Sequence, residues 1–242
     1  MIFIGTSGFM YWGWKGIFYP FEFPPSKWLE YYAEHFNALE INSTFYRLPV
    51  KSSIKNYKKK APGLTYIFKL YRGITHYKQL TDENVSPFFM IKEILGGNLY
   101  SLLAQFPKSF KPSEKSFDFL VNLFEKFKGI EIVVELRTSE WLEHLRFFKE
   151  EKIPVCCSDF PQSLNWLKEC VQTEKTAYFR FHGKRKLYSD SYTDEELKEL
   201  AKKINVSHSE NKLCFFNNTS KGHAVENALK LREYLNLFLN NN

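Results

Sequence analysis

This 242-residue sequence has no apolar run near the ~20 residues of a membrane-spanning helix, so no membrane association is expected. Its start, MIFIGTSG, lacks the basic, apolar and cleavable pattern of a secretory signal, and a cytoplasmic location is expected. Cysteine is scarce. The four, Cys156, Cys157, Cys170 and Cys214, form no C-x-x-C pair, which removes zinc-ribbon and thioredoxin-type motifs. Cys156 and Cys157 are adjacent in an expected strand and point to opposite faces; reduced, buried thiols are the expectation. No G-x-G-x-x-G follows the first apolar run, which removes the commonest dinucleotide fold. The six histidines form no H-E-x-x-H or comparable cluster, and no cofactor is expected. A divalent metal is disfavoured for a second reason. The carboxylates and histidines it would need share their strand ends with Arg137, Arg180 and Lys69, which repel a dication.

Aromatic residues, by contrast, are abundant at 18%, with 24 Phe and 14 Tyr. A composition of 44% hydrophobic and 25% charged residues is that of a globular protein able to bury a large core without staples. The formal charge of +7 favours acidic small molecules or nucleic acid as partners, although lysines spread over a solvated surface give the same total.

Short apolar runs alternate with amphipathic stretches along the whole chain. Strands are expected near 2–6, 38–43, 64–70, 99–106, 130–137, 154–159, 176–182 and 212–217. Helices are expected near 26–37, 51–60, 84–95, 114–127, 139–150, 163–170, 194–204 and 223–238. Thr193 with Glu196 reads as a capping box for the seventh helix. Eight such units without a linker predict an α/β fold, a single (β/α)8 TIM barrel over residues 1–242 with a closed parallel sheet and outer helices. A doubly wound open sheet is the alternative.

The barrel explains an oddity in LEINSTFY, residues 39–46, where a carboxylate and an amide interrupt a core strand. Alternate strand residues face the barrel axis. With Leu39 and Ile41 under helices, Glu40 and Asn42 point inward. The same parity aims Lys69, Gln105, Glu135, Arg137, Arg180 and His182 inward, together with Asp159 and Asn217. Most fall near the C-terminal ends of their strands, the end that holds the active site in this architecture. Glu131, near a strand start, reads as a structural partner instead.

These residues also resemble the YecE-like family, domain of unknown function 72, over nearly the whole length. The matching stretches include GTSG at 5–8, FYP at 18–20, EINSTFYRLP at 40–49, QFP at 105–107, YFRFHG at 178–183, YTDEEL at 192–197 and GHAVENA at 222–228. Glu135, Arg137, Trp141, Asp159 and Pro161 fit further motifs. Leu136 stands where the family usually has an aromatic, and Thr138 where a histidine is common. The resemblance implies a TIM barrel with a polar pocket at the strand C-termini, and it implies no particular reaction.

The chemistry expected of that pocket begins with an anion site. TIM barrels often bind phosphate with the loops after strands seven and eight, which here read HGKRKLYSDSY and NNTSKGHAVENA. Arg180 would grip the oxyanion in a bidentate fork, with Lys221, Gly222, His223 and Asn217 around it. Glu40, Glu135, Asp159 and His182 are the candidate acid–base groups, and Lys69 and Arg137 balance charge. Tyr11 and Trp14, from the aromatic stretch at 9–23, are candidate ligand contacts. The expected activity is hydrolase- or lyase-like, on a phosphate-bearing substrate. The alternatives are a nucleic-acid-binding or repair-type protein, and a barrel that binds a metabolite without turning it over.

Overall fold

The computed structural model describes residues 1–240, with side chains through Asn236. The strands are β1 Ile2–Thr6, β2 Ala38–Ile41, β3 Thr65–Lys69, β4 Leu99–Gln105, β5 Ile132–Glu135, β6 Cys157–Asp159, β7 Thr176–Phe181 and β8 Asn211–Phe216. The helices are α1 Trp28–His35, α2 Lys51–Lys60, α3 Arg72–Thr75, α4 Asp82–Leu95, α5 Glu114–Lys126, α6 Leu145–Glu150, α7 Asp194–Asn205 and α8 His223–Asn240. The expected capping box is present at the start of α7, where Thr193 accepts from the Glu196 amide and Glu196 accepts from the Thr193 amide. No helix among the described residues is long and apolar enough to cross a membrane.

Every pairing within the sheets is parallel, but the strands form two four-stranded sheets rather than one continuous ladder. One runs β1-β8-β7-β6 and the other β2-β3-β4-β5. Single bridges link them at both seams, Ser7 with Glu40 and Val134 with Val155.

Side chains explain the first seam. The Asn37 amide stands in for a strand partner, accepting from the Ile4 N–H at 2.8 Å and donating to the Ile2 carbonyl at 2.9 Å. One turn on, the buried Tyr32 hydroxyl accepts from the Thr6 N–H at 2.8 Å and donates to the Ala38 carbonyl at 3.1 Å. Backbone groups of β1 and β2 are thus satisfied without a ladder between them, as buried backbone groups must be. Gly5 permits the close approach, since a Cβ there would sit 2.0 Å from the Ala38 carbonyl oxygen.

At the second seam Pro154 has no N–H to give, and Val155 divides its hydrogen bonding. It pairs in parallel with Val134 and antiparallel with Val171, with Val155 N to Val171 O at 2.9 Å. That antiparallel bridge explains why β6 is only three residues long. It also explains why the expected helix at 163–170 does not form: the segment is drawn out along β6 instead. A disulfide between Cys157 and Cys170 closes the same loop, so the expectation of four reduced thiols holds only for Cys156 and Cys214, both buried. Replacing Cys170 with serine is expected to lower the unfolding free energy by about 3 kcal/mol, the chain-entropy value for a loop of this size. It should also open residues 161–170 to protease. A melting curve and a proteolysis map with and without reductant check this; no change in either would mean the bond does not hold the segment.

An apolar inner layer joins the two sheets: Ala38, Ile67, Leu103, Val133, Cys156, Tyr178, Leu213 and Phe215. One step toward the strand C-termini, the same faces present Glu40, Lys69, Gln105, Glu135 and Arg180. At the opposite end Glu131 accepts from Lys175 at 2.9 Å and from the Thr176 hydroxyl at 3.1 Å, the structural pairing expected of it.

Candidate functional site

The centre of the polar layer is Arg180, 1% exposed between Glu40 at 0% and Glu135 at 1%. Its Nε and one terminal nitrogen donate to the two oxygens of Glu40 at 3.0 and 2.7 Å. Its other terminal nitrogen donates to Glu135 Oε2. Ser7 Oγ and the Tyr178 hydroxyl each donate to Glu40 at 2.7 Å. Two carboxylates thus share a guanidinium in a dry interior, the pairing that buried charge requires. Burial raises the Glu135 pKa, but the guanidiniums of Arg180 and Arg137 outweigh it and hold the carboxyl well below the usual range. Arg180 is driven well above its ordinary value, burial being outweighed by Glu135 and Glu40.

His182 is buried on the same face. Asn217 Nδ2 donates to its Nδ1 at 3.0 Å, which puts the proton on Nε2, 3.7 Å from Glu135 Oε1. Burial and then the neighbouring Arg180 push its pKa well below the usual value, so the ring is neutral.

Above this network, at the strand C-termini, opens a cavity of about 1000 Å³. Lys69 projects into it from the end of β3. Its Nζ donates to Gln105 Oε1 at 2.8 Å, and Gln105 is itself oriented by donating to the Phe106 carbonyl at 2.7 Å. The Phe45 ring lies 4.1 Å from Nζ. Burial, reinforced by the charge of Arg180, lowers the Lys69 pKa to about 7. Beside it Arg137 donates from Nε to Glu135 at 2.9 Å and from one terminal nitrogen to the Tyr188 hydroxyl at 2.9 Å, while its plane lies 4.3 Å from the Trp166 ring. The second terminal nitrogen makes no hydrogen bond to a described residue. Asn42 lines the same wall with its Oδ1 buried and without a partner. His76 completes this side, bonded to the Thr75 hydroxyl at 2.9 Å, with its pKa lowered to about 4 by burial and by Lys69.

Of the residues expected in the mouth, Tyr11, Asn42, Lys69, Gln105, Arg137, Arg180 and Asn217 do line it. Glu40, Glu135 and His182 lie buried beneath; the two carboxylates are paired, while His182 Nε2 has no hydrogen-bond partner. Asp159 is a correction. Cys156 belongs to the inner layer, so Asp159, three residues on, shares the outer face with Phe179 and Phe181 and opens onto a separate cleft under α7. Trp14 is another: it is fully buried in the aromatic packing of the first loop, its indole N–H donating to the Thr219 carbonyl at 2.8 Å.

The expected phosphate cradle is filled from within. Asp190 accepts from the Lys184 and Arg185 amides at 3.1 and 2.9 Å, and Arg185 pairs with Asp190 and Glu196. Gly222, at φ +77°, makes its close approach to the Ile17 side chain. Lys221 and His223 beside it do not line the cavity. Arg180 grips Glu40 and Glu135 in place of an oxyanion. The sequence reading also missed Phe45, His76, Lys108, Trp166 and Tyr188 as cavity residues. Trp166 was hidden in the helix that does not form, and Tyr188 by its φ of +64°, which turns it back over His182. No three His, Cys, Asp or Glu side chains among the described residues converge as a metal site.

A model of the family described as "Protein of unknown function DUF72" matches residues 3–241. The chain belongs to the DUF72 family. This DUF72 chain is 27% identical over 273 residues to the UPF0759 protein YunF of Bacillus subtilis (strain 168), covering 98% of itself and 95% of that protein. It superposes on the crystal structure of a DUF72 family protein of Thermotoga maritima MSB8 with a TM-score of 0.86 at 32% identity, covering 98% of this chain and 99% of that one. A DUF72 family protein of Enterococcus faecalis V583 shares the fold at a TM-score of 0.85 and 23% identity, covering 98% and 96% of the two chains.

Proposed function

We propose that this DUF72 protein is an enzyme that acts on a small phosphate- or carboxylate-bearing substrate, held in the cavity at the strand C-termini. The two sheets are read as the halves of one (β/α)8 barrel, the architecture in which that end carries the chemistry. The observation that supports the reading is the charge of the cavity wall. Among the described residues, Lys69, Lys108, Arg137 and Arg180 line it, and no carboxylate does. Glu40 and Glu135 lie one layer below and fix Arg180 and Arg137 in place. An anion entering the mouth meets the free end of Arg137 within a preorganised surface, the arrangement that makes such contacts strong.

Lys69 on that wall has its pKa brought down to about 7 by burial, which makes a lyase-type proton abstraction a better match than carboxylate-assisted hydrolysis. In the uncharged form its lone pair is available for this step, so turnover is expected to rise as pH passes through about 7.

Thermal melting of wild type and Arg137→Ala with inorganic phosphate, sugar phosphates, 2-oxo acids and short DNA tests the reading. A ligand that binds only the folded state raises the melting temperature. The expected result is a rise with at least one small anion, lost in Arg137→Ala. A rise with DNA alone, falling steeply with salt, would replace this reading by nucleic-acid binding.

A further inference from the structure

We infer that Lys69 is a covalent catalyst, forming an imine with the carbonyl group of an anionic aldehyde or ketone bound in the cavity. The inference rests on the proposed function and adds the substrate class and the bond that forms. Four placements carry it. Among the described residues the cavity wall bears no carboxylate and no thiol, and of its two amines Lys69 is half-buried while Lys108 is exposed. Gln105 takes one N–H of that amine at 2.8 Å and is itself fixed by the Phe106 carbonyl, which orients the nitrogen. The Phe45 ring covers one side at 4.1 Å and keeps water from the nitrogen, the setting that keeps an amine nucleophilic. On the same wall Arg137 offers a donor for the substrate's anionic group.

The step balances within these groups. The Nζ lone pair adds to the carbonyl carbon, the carbonyl π pair moves to the oxygen, and one Nζ proton passes to that oxygen to give a carbinolamine. The carbinolamine then loses water, leaving a carbon–nitrogen double bond. No oxidant or reductant is needed. The surroundings of Lys69 favour the uncharged amine at the start: burial acts first, then the charges of Arg180 and Arg137, against the attraction of Glu135 and Glu40. The protonated imine is a stronger electron sink than the carbonyl, which is what a lyase acting next to a carbonyl requires.

The anionic group could be a carboxylate or a phosphate, so the test has two arms, pyruvate and dihydroxyacetone phosphate. Each is incubated with the full chain, reduced with sodium borohydride and mapped by peptide mass spectrometry. A reduced adduct is expected on Lys69 in one arm, exceeding that on any other lysine by at least about tenfold, because a substrate bound in the cavity holds its carbonyl against that amine. Lys69→Arg keeps the positive charge and is expected to lose the adduct while melting as a folded protein. Adducts spread evenly over the lysines, or none in either arm, would overturn the inference. If the same compounds still raised the melting temperature without an adduct, the imine would fall and the anionic-substrate enzyme would stand. Neither adduct nor melting shift would sink both.

Discussion

Arg180→Met is expected to lower the unfolding free energy by about 3–5 kcal/mol, enough to unfold much of the protein at moderate denaturant. The cost comes from what remains. Without the guanidinium, Glu40 loses two of its four side-chain donors and Glu135 its closest cation, and neither carboxylate can reach solvent. The companion measurement separates this from loss of packing. Adding Glu40→Gln and Glu135→Gln to Arg180→Met removes the stranded charges, and this triple variant should recover a large part of the loss, since a buried ion cluster as a whole contributes little net stability. Urea unfolding of wild type, the single variant and the triple variant checks it. A single variant within about 1 kcal/mol of wild type, the range of an exposed ion pair, would mean that water reaches the network. Acid should act on the same site. Because the folded-state pKa of Glu135 is depressed, its contribution is complete above the unfolded carboxyl value and is lost as pH falls below it.

Gly5→Ala is the second large effect. The added methyl would meet the Ala38 carbonyl oxygen at 2.0 Å and the Tyr32 hydroxyl at 2.8 Å. A main-chain carbonyl in a buried strand cannot step aside, so the loss should exceed the ~1–3 kcal/mol of ordinary overpacking. Separating β1 from β2 would also break the Tyr32 clamp and pull Ser7 away from Glu40, coupling the seam to the polar layer. Gly13→Ala is the control, because nothing lies within 4 Å of a Cβ there. Melting temperatures of the two variants that coincide would show that the seam tolerates widening.

The strand parity that organises the site was readable because side-chain alternation carries through β2, β3, β4, β5 and β7, whose inner faces share one apolar layer. It placed Glu40, Lys69, Gln105, Glu135 and Arg180 on one inner surface from the apolar neighbours alone. Asp159 was misplaced because nothing in the CCSD sequence shows which of Cys156 and Cys157 faces in; Cys156 does, so Asp159 faces out. The divided pairing of Val155 turned an amphipathic stretch at 163–170 into a strap, which brings Trp166 onto Arg137. The Cys157–Cys170 bond follows from that strap and from nothing in the cysteine spacing. Arg180 shows a different limit. A sequence shows that a guanidinium points inward, but whether it meets the protein's own carboxylates or a ligand depends on distances between strands 140 and 45 residues apart. Lys69 was legible as an inward cation; its depressed pKa was not, because that depends on how deeply Phe45 and the cationic neighbours enclose it.

The account stands most directly on the charge state of Lys69. Competitive acetylation of the folded protein over a range of pH, read at the Lys69 peptide, gives the titration midpoint of that amine. A midpoint near about 7 is predicted. A midpoint near the ~10.4 of an ordinary lysine would contradict the account, because the cavity would then hold a permanent cation and no amine base or nucleophile.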